Sequence, residues 1–121
     1  MTTKLALLSI EQLVAEFATI GIAQDEALLE GSTRKFNRLY DSKIAVLNEL
    51  KSRGDARREL VKLYDHQNMQ VRLNAANATL AVAPKEARQV LEVVRASQCY
   101  PQAMDAGMCI RGLDDGTYLP A

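Results

Sequence analysis

The chain has 121 residues, nearly half of them apolar, with few aromatics and no tryptophan. That suffices for one domain with an aliphatic core, needing neither metals nor crosslinks, and it favours packed helices over strands rich in β-branched and aromatic residues. Fifteen basic and fifteen acidic side chains leave no net charge, which argues against a dedicated nucleic-acid binder.

In chain order, the first apolar run, Leu5 to Ile10, is too short for a signal-peptide core or a membrane span. Ser9 followed by Gln12 reads as a capping box, each side chain satisfying a free backbone N–H. Ile10, Leu13, Val14, Phe17, Ile20, Ala27 and Leu28 then recur at helical spacing, and Gly31 ends the element. Ser32 or Thr33 opens a second helix to about Arg53, with Phe36, Leu39, Tyr40, Ile44, Leu47 and Leu50 on its inner face. The short Gly31–Ser32 link predicts an antiparallel hairpin over residues 1–53.

Shorter elements follow. Gly54 and Asp55 introduce a third helix from Ala56 to about Tyr64, with Leu60 and Leu63 inward. Asp65–Asn68 reads as a turn, and Asn68 caps a fourth helix to about Ala83. Pro84 suits the first position of a fifth helix, carrying Ala87, Val90, Leu91 and Val94. Pro101 opens a sixth in the same way, with Ala103, Ala106, Ile110 and Leu113 as its stripe. Asp114-Asp115-Gly116 ends it, leaving residues 116–121 as a loose tail. The expected fold is thus all-α, a single domain of about six helices: the hairpin, then a short stack over 55–115.

The fourth helix has little side-chain volume. Val71, Ala75, Ala78 and Val82 share one face, and Leu73, Ala76 and Leu80 an adjoining one. A helix with alanine on two sides admits close neighbours on both, as in a stack; Gln70, Asn74 and Asn77 are expected to point away. A weak period of about 30 residues supports this. Leu60-Val61-Lys62-Leu63 answers Val90-Leu91-Glu92-Val93, and Ala75-Ala76-Asn77-Ala78 answers Ala106-Gly107-Met108-Cys109.

The run Asn68-x-x-Val71-Arg72-x-x-Ala75-Ala76-x-Ala78-x-Leu80, then Glu86-Ala87-x-x-Val90-Leu91, resembles a HEAT repeat of the armadillo-type superhelix class. The resemblance covers residues 56–115, and 68–94 best; the first 53 residues lie outside it. The layout also resembles small bacterial domains of unknown function. The HEAT resemblance implies a right-handed α-α stack and a protein-binding helical face. It also implies a structural Arg72 paired with an acid on the neighbouring repeat, for which Asp105 has the matching position.

Little in the sequence points to chemistry. His66 is the only histidine, and its neighbour Asp65 need not face it. One histidine and two separated cysteines do not make a tetrahedral metal site, and no glycine-rich phosphate loop is present. Cys99 and Cys109, ten residues apart along a helix, would lie about 15 Å apart, beyond the roughly 7 Å limit for a disulfide. Reduced thiols and a cytoplasmic setting are expected. No catalytic residue, cofactor or metal is therefore expected.

Charge is unevenly spread. Residues 1–33 carry one lysine against five acids, residues 34–72 ten basic groups against five acids, and the remainder four against five. Arg53, Arg57, Arg58 and Lys62, with Tyr64 and His66 beside them, form the candidate docking segment for an acidic protein surface. Arg72, Ala75, Ala76, Pro84 and Pro101 are read as structural. The expected function is a non-enzymatic protein-interaction module without membrane attachment. The alternatives are a nucleic-acid-associated or enzymatic HEAT-like protein with a site near His66 and Arg58, and a homodimer through Val46, Leu39 and Leu50.

Overall fold

The structure is a computed structural model describing residues 4–121. It is all-helical, 77 % of residues being in helices, with no strand among the described residues. It divides into two compact units, one ending at Glu59 and the other running from Leu60 to Ala121.

In the first unit, a 3-10 turn at Leu5–Leu7 precedes α1 (Ile10–Glu30) and α2 (Thr33–Lys51). The capping box forms as expected: Ser9 N–H donates to Gln12 Oε1 at 2.8 Å and Gln12 N–H donates to Ser9 Oγ at 3.1 Å. Gly31 ends α1 at φ +73°, a left-handed conformation that costs glycine little. One residue later Ser32 Oγ accepts from Lys35 N–H to cap α2. The reversal is that tight, so α1 and α2 pack along each other as a hairpin. Leu13, Phe17, Ile20 and Ala27 of α1, and Val46 and Leu50 of α2, are buried. Of the three residues expected at a dimer face, Val46 and Leu50 lie inside the fold and Leu39 is half-buried.

Gly54–Leu63 is a 3-10 segment, not the α-helix expected over 56–64. Its i→i+3 bonding is seen at both ends, from Ala56 N–H to Arg53 O and from Tyr64 N–H to Val61 O. The buried Leu60 and Leu63 are three apart, a spacing that a three-residue turn aligns directly.

The second unit holds α3 (Met69–Thr79), α4 (Pro84–Ala96) and α5 (Gln102–Asp115), with α4 packed against both α3 and α5. Asn68 Oδ1 caps α3 by accepting from Gln70 N–H and Val71 N–H. The helix stops at Thr79, four residues before the expected end, because Thr79 O accepts from Val82 and Ala83 N–H in a closing turn. Pro84 occupies the first turn of α4 as expected. Pro101 stands one place earlier than expected, as the N-cap residue of α5.

The unit's core joins Leu73, Ala76 and Leu80 with Ala87, Leu91 and Val94, closed by Ala106 and Ile110. Ala75 and Ala76 are both 0 % exposed and Ala78 is 7 % exposed, so the thin helix is enclosed on both alanine faces. Its polar side departs from expectation, since Gln70 and Asn74 are buried. Gln102 Nε2 donates to Gln70 Oε1 at 3.0 Å, and Gln70 Nε2 donates to Asn74 Oδ1 at 3.0 Å. Hydrogen bonding among the amides offsets their desolvation and ties α5 to α3. Beyond Gly116 the chain turns back on α5, where Tyr118 N–H donates to Gly112 O at 3.1 Å. A Cβ on Gly112 would lie 3.0 Å from Tyr118 Cβ, so a side chain there would push Tyr118 back by a few tenths of an ångström.

Candidate functional site

The docking candidates read from the sequence fall in both units, and most are engaged internally. In the first unit the Arg53 guanidinium donates to three backbone carbonyls, of Leu8 at 2.7 Å, Leu5 at 3.0 Å and Ala6 at 3.3 Å. Its Nε also donates to Glu49 Oε2 at 2.9 Å. This forked donor set ties residues 5–8 to the end of α2, which leaves Arg53 with an internal role. Arg57 is half-buried and partnered. Arg58 is exposed.

In the second unit Lys62 is exposed. The expected alignment of Arg58 over Lys62 assumed α-helical pitch; at three residues per turn they point in different directions. The Tyr64 hydroxyl lies 2.5 Å from Thr79 Oγ1, which itself donates to Ala75 O at 2.8 Å, so the tyrosine is the donor. Burial, chiefly, raises the Tyr64 pKa, and the charge of Glu86 adds to the effect. His66 Nδ1 accepts from Asn68 N–H at 3.0 Å, and His66 O accepts from Arg72 Nε. His66 and Arg72 thus build the turn that leads into α3. The expected Arg72–Asp105 pairing is absent: Arg72 is spent on the turn, while Asp105 is exposed on α5.

The cysteines are free thiols. Cys99 is exposed; Cys109 is half-buried with Sγ 3.4 Å from Asn77 Oδ1, and burial raises its pKa away from the reactive thiolate. Among the described residues, no group of His, Cys, Asp and Glu is placed to hold a metal ion. None of the helices there is long and apolar enough to cross a membrane.

One surface feature has no counterpart among the residues singled out from the sequence. An open groove of about 570 Å³ lies along α5, with Arg95 of α4 at its edge. Ile110 and Gly107 contribute to its lining, and Arg95 supplies the α4 side. The Arg95 stem lies beside Gly107, where an added Cβ would come within ordinary contact distance, 3.4 Å, of Arg95 Cδ. On the α5 side stand Met104, Met108, Arg111 and Asp115. The two methionines are 57 % and 63 % exposed, more than their apolar character favours. Their spacing of four, opposite the buried Ala103–Ala106–Ile110 stripe, was the available signal; the buried stripe alone is enough to define a helix, so the outer one went unread.

Four charges of α4 and α5 are paired in a chain. Arg95 contacts Glu92, Arg88 Nε lies 3.7 Å from Glu92 Oε2, and Arg88 grips Asp114 bidentately at 2.7 and 3.1 Å. The Arg88 hydrogen bond holds the Asp114 carboxyl below its ordinary pKa. Asp115 Oδ1 accepts from Thr117 N–H and Thr117 Oγ, which lowers its pKa likewise. Arg111 is exposed and makes no hydrogen bond or ion pair among the described residues; only a longer-range attraction to Asp115 reaches it.

A small all-helical protein with a grooved surface is the class these features define. The chain belongs to the family described as a domain of unknown function (DUF2019), whose sequence model matches residues 11–114. It is similar in structure to the protein RPA1889 from Rhodopseudomonas palustris CGA009, at 47 % sequence identity and a TM-score of 0.95. That likeness covers 99 % of this chain and 100 % of the other. No curated protein matches the chain.

Proposed function

We propose that the chain is a non-enzymatic protein-interaction module and that its docking surface is the α4–α5 groove of the second unit. The observation that carries this reading is the pair of exposed methionines, Met104 and Met108, standing over a groove of about 570 Å³. Methionine is flexible and polarisable, which suits an adaptable contact surface. The internal engagement of Arg53, Tyr64 and His66 favours this groove over the basic middle segment as the docking surface. A HEAT-like stacking of α3, α4 and α5 belongs to the same proposal, since consecutive helices pack on one another and a stack presents an outer helical face to partners. Two free thiols are in keeping with a cytoplasmic setting.

The test is a photoreactive phenylalanine analogue placed at Met108 in cells, with Leu29 of α1, 84 % exposed, as the control position. A discrete heavier adduct with another polypeptide is expected from position 108 and not from position 29. No adduct at 108, or the same pattern from both positions, overturns the reading.

A further inference from the structure

The charges in the groove lining cancel, Arg95 and Arg111 against Asp114 and Asp115. What distinguishes this surface chemically is its apolar ridge. Met104 and Met108 stand one turn apart on α5, 57 % and 63 % exposed, and present two thioether side chains to solvent. Neither belongs to the core of the second unit, which Ala106 and Ile110 enter from the opposite face of the same helix. Of the three methionines among the described residues, only these two are exposed; Met69 is partly buried and packed against that core. Exposure favours oxidation of a thioether, and the sulfoxide formed is polar where methionine was apolar.

We propose that Met104 and Met108 form a paired oxidation site for hydrogen peroxide, and that their sulfoxides close the groove to its partner; the closing rests on the reading of the groove as a docking surface. At each sulfur one peroxide oxygen is transferred. The S–O bond forms and the O–O bond breaks, the sulfur gives up two electrons to the peroxide, and both peroxide protons leave on the other oxygen as water. The product places an S–O dipole where the apolar surface of a partner would lie. Burying that dipole without a hydrogen bond is unfavourable, whereas burying the thioether is favourable. α5 keeps its own packing, because its buried stripe of Ala103, Ala106 and Ile110 is untouched. A dithiol reductant reverses the step, taking up the oxygen as water and becoming a disulfide.

The site is tested on the purified full chain, treated with hydrogen peroxide at neutral pH and mapped by mass spectrometry of its peptides. Oxygen should appear on Met104 and Met108 while Met69 is still a thioether, and the thermal midpoint should not move. Equal oxidation of all three, or unfolding on oxidation, overturns the proposal. The switch is read in cells with the photoreactive analogue at position 111, which lies in the groove lining and is not a methionine. A peroxide pulse should abolish the adduct when Met104 and Met108 are present. The adduct should persist in the double variant Met104→Leu, Met108→Leu, since these volume-conserving replacements cannot take up oxygen. Both cysteines remain in that variant, so loss of its adduct as well assigns the effect to the thiols and overturns the proposal. An adduct that survives oxidation of both methionines overturns the switch and leaves the docking reading standing. No adduct before peroxide overturns the docking reading and the switch with it, while the peptide map still decides the oxidation site.

Discussion

Lys43 on α2 holds its Nζ 4.4 Å from the centroid of the Tyr40 ring, and burial lowers its pKa from 10.5 to about 8. Below pH 8 the amine is charged in both folded and unfolded chains, and the folded state bears the cost of desolvating it. Between pH 8 and 10.5 the unfolded chain keeps the proton that the folded chain has released, so this group's contribution makes stability rise with pH. Lys43→Met should therefore be more stable than wild type at pH 7, by about 1–3 kcal/mol after the lost ring contact is set against it. The difference should shrink towards pH 10. Urea melts of both proteins at pH 7, 8.5 and 10 measure it; a constant difference would show that the amine is not desolvated. Arg53 and Gln70 show the opposite case at this scale, polar groups whose burial is matched by partners: three carbonyls and Glu49 for one, two amides for the other.

Among the elements, α3 depends most on side-chain size. Its alanines let neighbours approach, and Ala76 lies in the shared core with Leu91 and Ile110. Ala76→Leu adds three carbons where there is no space, and overpacking of this kind costs roughly 1–3 kcal/mol. Thermal melting should fall accordingly; a midpoint at or above that of wild type would contradict the close packing of α3. Ala81, exposed just past the end of the same helix, is the control position, and its replacement by leucine should be near neutral. The 3-10 segment Gly54–Leu63 shows how an element can keep its expected location and lose its expected pitch, with consequences for which side chains align.

For the whole molecule, charge balance matters more than any one pair. With fifteen charges of each sign and a pI near 6.6, the chain carries little net repulsion near neutral pH. Self-association should be greatest near pH 6.6 and decline on either side, as read by light scattering at low salt. A minimum of association at that pH would mean that specific charge patches outweigh net charge. The agreement with RPA1889, 47 % identical over nearly the full length, places both proteins on one fold.

The elements that repeat an apolar residue every three or four positions were legible in the sequence, because helical periodicity and end-capping are local properties. Ser9–Gln12, Gly31, Asn68 and Pro84 all sit where their chemistry predicts. Side-chain polarity could not show that Gln70, Asn74 and Gln102 meet inside the second unit, since an amide reads as exposed until its partner is located. Nor could charge spacing reveal that Arg53 is spent on residues 5–8, some 45 positions away in the chain. The groove depends on Arg95 of α4 coming to lie beside the outer face of α5, its stem next to Gly107. By itself, then, the sequence determined the all-helical class, the capped helix starts at Ser9, Asn68 and Pro84, and the slimness of α3. The tertiary structure decided which polar groups are satisfied inside and which charge and apolar surface remain outside, because those outcomes depend on contacts between residues distant in the chain.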